Sequence, residues 1–130
     1  MEYVKSFRDL EVYKLSKQLS KDIFESLKKF PKEEMYSLTD QIRRSSRFIG
    51  AQISESWAKR RYEKHFVSKL TDADGEQQET QHWIETALDC SYITSEQAND
   101  LLQKCSSVGK MLNSMIAKAP FFCKKENVQT

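Results

Sequence analysis

Leu38-Thr39-Asp40-Gln41-Ile42-Arg43-Arg44-Ser45-Ser46-Arg47-Phe48-Ile49-Gly50-Ala51-Gln52-Ile53-Ser54-Glu55-Ser56-Trp57 is the stretch whose periodicity decides the fold. Projected at about 100° per residue, Leu38, Ile42, Ser45, Ser46, Ile49 and Ile53 share one side, and Trp57 extends it. Recurrence at three and four residues is what a helix needs to bury a single stripe. Ser37 stands where an N-cap belongs, and the pattern fades at Lys59-Arg60-Arg61. The reverse side carries a second stripe: Arg44, Phe48, Ala51 and Glu55, with Ala58 extending its small-residue edge. A solvated face rarely combines a Phe with alanines in this way. One reading is a partly exposed Phe, which monomers tolerate; the preferred one is a second buried face that meets another subunit.

Similar periodicity flanks this segment. Val12, Leu15, Leu19, Ile23 and Leu27 predict a helix from about Leu10 to Lys29, ended by Phe30-Pro31. A third helix opens near Tyr62 and places Phe66, Leu70, Ala73, Ile84 and Leu88 on one face with Gln77 and Gln81, closing between Asp89 and Tyr92. The fourth starts at Thr94-Ser95-Glu96-Gln97, a capping-box pattern, and runs through Ala98, Leu101, Leu102, Cys105, Val108, Leu112, Met115 and Ile116 to stop before Pro120. Short connections between striped helices imply antiparallel neighbours, so the expected fold is all-α, an antiparallel up-down-up-down four-helix bundle. One domain over residues 1–120 and a short, loosely ordered tail over 121–130 complete the layout.

Composition agrees: 38% of residues are apolar, 31% are charged, and only three are Gly and two Pro. That is a chain of helix formers with few turns. The absence of a long apolar run and of a signal-peptide pattern at the N-terminus predicts a cytoplasmic protein with no membrane association. Cys90, Cys105 and Cys123 lack CxxC pairing, so neither a disulfide framework nor a zinc site is expected, and Cys105 reads as core. Within the predicted core, Ser45 and Ser46 should lie level with Gln77, and Gln41 near Thr80 and Gln81, polar layers that fix helix register. Gly75 falls on the outer side of the third helix, where it costs about 1 kcal/mol relative to Ala unless another helix approaches closely.

A net charge of +2 says little about partners, but its distribution is uneven. Arg43, Arg47 and Arg61 lie along one flank of the second helix, and Lys59, Arg60, Lys64, His65 and Lys69 gather around the next turn. Such a strip, with Trp57 and Tyr62 nearby, suits a phosphate backbone; an ordinary solvated surface offset by Asp72, Asp74, Glu76 and Glu79 suits the same residues. Glu79-Thr80-Gln81-His82 is half of a di-iron Glu-x-x-His motif, but the second half and two further glutamates are missing and His82 should point outward, so no metal or cofactor is expected. Arg60 and His65 have the Arg-x4-His spacing of HEPN-class ribonucleases, which makes a small ribonuclease one rival reading; a protein-interaction scaffold without nucleic-acid binding is the other. No Gly-rich phosphate loop or nucleophile triad is present, and the preferred reading is non-enzymatic.

Phe7-Arg8-Asp9-Leu10-Glu11-Val12-Tyr13-Lys14, Phe30-Pro31 with Glu34 and Leu38, and Gln41-Ile42-Arg43-Arg44-Ser45-Ser46 resemble the bacterial four-helix bundle family encoded by intervening sequences of 23S ribosomal RNA genes. The resemblance continues through Ile49, Ile53, Ser54-Glu55, Arg61, Phe66, Ala73-Asp74-Gly75-Glu76, Glu79 and Tyr92-Ile93. It implies the bundle topology and a ring-shaped homopentamer. It also brings in the accessory variability determinant of diversity-generating retroelements, a similar basic barrel that binds nucleic acid and a reverse transcriptase. Carried over, the basic residues are Arg43, Arg44, Arg47 and Arg61. The chain departs from the family where Ser45-Ser46 replace Ala-Ala, where Gln52-Ile53-Ser54-Glu55-Ser56 replaces Asn-Ile-Ala-Glu-Gly, and where Glu76 follows Gly75. Added acid at Glu76 opposes a basic surface. The expected division is therefore Arg43, Arg47, Arg60, Arg61 and Lys64 toward RNA or DNA, and Arg44, Phe48, Ala51 and Glu55 toward a second subunit. Arg44 is assigned a carboxylate, Glu55 or Glu79 of its own or a neighbouring subunit.

Overall fold

The structure, a computed structural model, describes residues 4–123. Four long helices, α1 (Glu11–Leu27), α2 (Leu38–Ala58), α3 (Glu63–Asp89) and α4 (Ser95–Ala117), are followed by a single turn, α5 (Ala119–Phe122). Short 3-10 turns at Phe7–Asp9 and Lys32–Glu34 lead into α1 and α2, and no strand occurs among the described residues. Each long helix packs against its neighbour in sequence, and α1 also meets α4. Leu19, Ile23, Ile49, Ile53, Phe66, Leu70, Ile84, Val108 and Leu112 are fully buried between them. Burying each such side chain contributes about 1.5–3 kcal/mol, which is why the stripes, and not helix propensity, hold these helices.

Helix ends show which local signals act. Thr94 and Gln97 form the expected capping box: the Gln97 amide donates to Thr94 Oγ1 at 3.1 Å and the Thr94 amide to Gln97 Oε1 at 2.9 Å. Ser37 occupies the N-cap position of α2, but its side chain makes no capping bond. Glu34 acts instead, accepting from the Leu38 amide at 3.2 Å through Oε1 and from the Tyr92 hydroxyl at 2.8 Å through Oε2. One carboxylate thus ties the start of α2 to the turn after α3. Hydrogen bonding to Glu34, helped by burial, pushes the Tyr92 hydroxyl up to about 12. That turn closes α3 with a Schellman motif, in which the Tyr92 amide donates to Ala87 O and the Ser91 amide to Leu88 O, both at 2.9 Å. Ser91, at φ 63°, fills the left-handed position where Gly is usual.

Sequence and structure differ in three places. The buried face of α3 runs Phe66, Leu70, Ala73, Gln77, Thr80, Ile84 and Ala87, whereas Gln81 and Leu88 lie half-buried at its edge. The expected stripe steps by four twice running, from Ala73 to Gln77 to Gln81, whereas the buried positions keep a strict alternation of four and three, the 3.5-residue repeat of a bundle seam, so the two part by one position after Gln77. The level of the polar layer shifts accordingly. Ser45 meets Thr80, with the hydroxyl oxygens 2.8 Å apart, one turn beyond the expected partner Gln77. Gln77 bonds within α3, donating to Asp74 at 2.9 Å and accepting from Gln81 at 2.7 Å, while Gln41 accepts from Arg44 at 3.4 Å. A Cβ at Gly109 of α4 would stand 2.8 Å from Gln77 Nε2, so glycine there makes room for the amide.

The third difference is the tail. Phe122 packs on the core, its ring centroid 5.9 Å from Phe66 and 6.2 Å from Trp57, and Ala119 is buried, so the residues around Pro120 cover the end of α2 and the start of α3. Residues 124–130, the rest of the expected loose tail, lie outside the described residues. Cys105 is buried as expected, and desolvation pushes its thiol up to about 12.

Candidate functional site

α2 presents two flanks. On the flank toward α3, Arg44 donates to Glu79 Oε2 at 2.6 Å, and its guanidinium lies 5.4 Å from the Phe48 ring centroid. Glu79 Oε2 also accepts from Trp83 Nε1 at 3.0 Å. Arg44 therefore takes Glu79 of its own chain as its carboxylate, and Glu55 pairs elsewhere: Lys69 of α3 reaches it at 2.8 Å. The hydrogen bond from Lys69 holds the Glu55 carboxyl below its usual range, and the same bond raises Lys69. These pairs run in opposite directions along the two helices, Arg44 to Glu79 and Glu55 to Lys69, so α2 and α3 are antiparallel.

Two side chains of the expected subunit face remain outward. Phe48 is 43% exposed and Ala51 is exposed. Beside them Glu76 stands half-buried on α3, with Oε1 out of water and without a hydrogen bond. Arg44 lies 3.9 Å from that oxygen, too far to donate. Desolvation raises the Glu76 carboxyl, Arg44 opposes the rise, and Glu79 adds to it.

Among the expected phosphate ligands, Arg43 lies 3.5 Å from Asp40, and Arg47, Arg61 and Lys64 are exposed without an ion pair among the described residues. Arg60 is turned inward: its Nε donates to Trp57 O at 2.9 Å and its guanidinium lies 3.7 Å from the Trp57 ring centroid. His65 packs against Tyr62 at 5.4 Å, and the hollow beside it is lined by Lys59, Ser68 and Lys69. The structure thus does not bring Arg60 into the hollow at His65, as a paired acid-base site requires. His82 is exposed and packs against Trp83, while Glu79 is occupied by Arg44 and Trp83.

Sequence reasoning passed over the outer side of α1. Phe24 is 43% exposed there, with Lys28 Nζ 5.3 Å and the Arg47 guanidinium 5.9 Å from its ring centroid. The signal was available, since Lys17, Lys21, Phe24 and Lys28 share one side of the helical projection.

The family profile of the 23S rRNA-intervening sequence protein matches residues 8–114. Among solved structures, a protein of unknown function from the S23 ribosomal protein family of Bacteroides thetaiotaomicron aligns with a TM-score of 0.73 at 29% identity, covering 81% of this chain and 97% of its own. No curated protein matches the chain. Among the described residues, no helix is long and apolar enough to cross a membrane.

Proposed function

The chain belongs to the family of 23S rRNA-intervening sequence proteins, and from that premise we propose that it is a non-enzymatic, homo-oligomeric helical scaffold that binds RNA or DNA. The observation that carries this reading is a segregation of charge between paired and unpaired cations on α2, the turn after it and the start of α3. Arg44 and Lys69 meet the carboxylates of Glu79 and Glu55, whereas the exposed Arg47, Arg61 and Lys64 form no ion pair among the described residues; Arg60, held against Trp57, is not among these free cations. Unneutralised cations along one flank release counterions when they meet phosphates, and this drives binding without base readout.

Self-association through the Phe48 and Ala51 face supplies the multiplicity. A ring, five subunits by the family resemblance, presents the same basic strip repeatedly and raises avidity without new contacts. Arg44 and Glu55 border that face and hold α2 in place for it. The helices connect up-down-up-down in this reading, supported by the antiparallel α2–α3 pair and the contact of α1 with α4. The protein works in the cytoplasm, as an accessory to a larger nucleic-acid enzyme such as a reverse transcriptase.

Light scattering on a size-exclusion column, followed by titration of labelled RNA and duplex DNA at rising salt, tests the proposal. An oligomer whose affinity falls steeply with salt supports it. A monomer that binds neither ligand at low salt removes it and leaves only the fold.

A further inference from the structure

Phe24 sits at the outer seam between α1 and α2, with 43% of its surface in water. Lys28 approaches its ring from one turn further along α1, and Arg47 reaches across from α2. Lys21 and Lys17, exposed on the same side of α1, continue the line away from Lys28, and neither forms an ion pair among the described residues. From Lys17 to Lys28 the strip extends about 16 Å along the helix. Two carboxylates temper it: Glu25, 3.1 Å from Lys28, and Asp40, 3.5 Å from Arg43. Both ion pairs are solvent-exposed, and such pairs exchange partners at little cost.

An exposed aromatic ring set among cations suits one class of ligand better than its competitors. In a single strand an unpaired base offers a flat face for the ring while its neighbouring phosphates engage the cations. A duplex keeps its bases stacked inside and uses only the cations. An acidic peptide likewise neutralises the cations and leaves the ring uncovered. Resting on the nucleic-acid reading above, we propose that the α1–α2 seam binds single-stranded nucleic acid. Phe24 is the platform on which a base stacks, and Lys21, Lys28 and Arg47 take the flanking phosphates.

Anisotropy titrations of the full chain with a labelled single-stranded oligouridylate, a duplex of equal charge and poly-L-glutamate test this, comparing wild type with Phe24→Leu and Lys21→Ala. Phe24 is outside the buried core, and thermal melts confirm that both variants fold. Phe24→Leu is expected to weaken single-strand binding about tenfold while duplex binding is unchanged; Lys21→Ala should weaken both and flatten the salt dependence. Equal single-strand affinity for wild type and Phe24→Leu overturns the stacking platform and leaves the nucleic-acid reading in place. Failure of wild type to bind either nucleic acid overturns both. Poly-L-glutamate binding as tight as oligouridylate, and indifferent to Phe24→Leu, overturns the single-strand assignment in favour of an acidic polypeptide.

Discussion

Ser45 and Thr80 face each other across the buried contact of α2 and α3 with their hydroxyl oxygens 2.8 Å apart. Thr80 Oγ1 also lies 2.8 Å from Glu76 O, and Ser45 Oγ is 3.4 Å from Ile42 O. Each hydroxyl has one proton. The shorter backbone contact takes that of Thr80, so Ser45 donates to Thr80. The two truncations are therefore unequal. Thr80→Val strips Ser45 of its good acceptor at a fully buried position and should cost about 1 kcal/mol. Ser45→Ala leaves Thr80 bonded to Glu76 O and improves helix propensity, so it should change stability by less than about 0.5 kcal/mol. Urea unfolding of both variants checks the order; equal losses would refute the assigned direction of the bond.

The same pair shows how far the sequence was legible. Stripes in all four long helices and the inward position of Ser45 follow from periodicity, and the Thr94 capping box from a four-residue motif, each a property of one helix at a time. Register between helices does not, because it depends on how side chains of unequal size interdigitate. Ser45 therefore met Thr80 one turn away from Gln77. Ser37 misled for a related reason: a cap signal is local, but Glu34 reached the first amide of α2 from a preceding turn and was anchored there by Tyr92 of a distant loop. At the candidate site, Arg44 meets Glu79 of its own chain; the cationic side of α1 around Phe24 is legible in the helical projection, but the approach of Arg47 from α2 is a relation between helices and is not.

Ser91 holds a left-handed conformation, φ 63°, to complete the cap of α3. A side chain in this region is disfavoured by about 1 kcal/mol, and Gly is not. Ser91→Gly should therefore raise the melting temperature by a few degrees, partly offset by the greater freedom of Gly in the unfolded chain. Calorimetry at neutral pH reads the sign. A loss of stability would mean that the Ser91 side chain contributes more than its backbone strain removes.

Glu76 carries a pH signature. Desolvation raises its carboxyl above the usual range, so the folded chain holds this proton more tightly than the unfolded one. Its contribution is favourable below the unfolded pKa and is lost as pH rises through the raised folded value. Glu76→Gln removes that loss and should stabilise the protein at neutral pH by up to about 1 kcal/mol, since loss of the weak attraction to Arg44 works the other way. The advantage should shrink as pH falls through the carboxylate range. An advantage that instead grows on acidification would show that pairing with Arg44, and not burial, governs this side chain.

Gly75 separates the stability of the chain from its assembly. It lies exposed in α3, and a Cβ built there meets nothing within 4 Å. Within one chain, then, nothing recovers the roughly 1 kcal/mol by which Gly in a helix is worse than Ala. Gly75→Ala should raise the melting temperature by a few degrees, and by the same amount at low and high protein concentration if the position faces water. The neighbouring surface, with Phe48 exposed and Glu76 Oε1 lacking a hydrogen bond, is the face assigned to a second copy. Should that copy extend over Gly75, the added methyl would enter a helix contact, and the gain would fade as concentration drives association. The expected result is a concentration-independent gain, with the subunit contact confined to α2 and the near edge of α3. A gain that disappears in the concentrated sample would widen the interface to the outer side of α3.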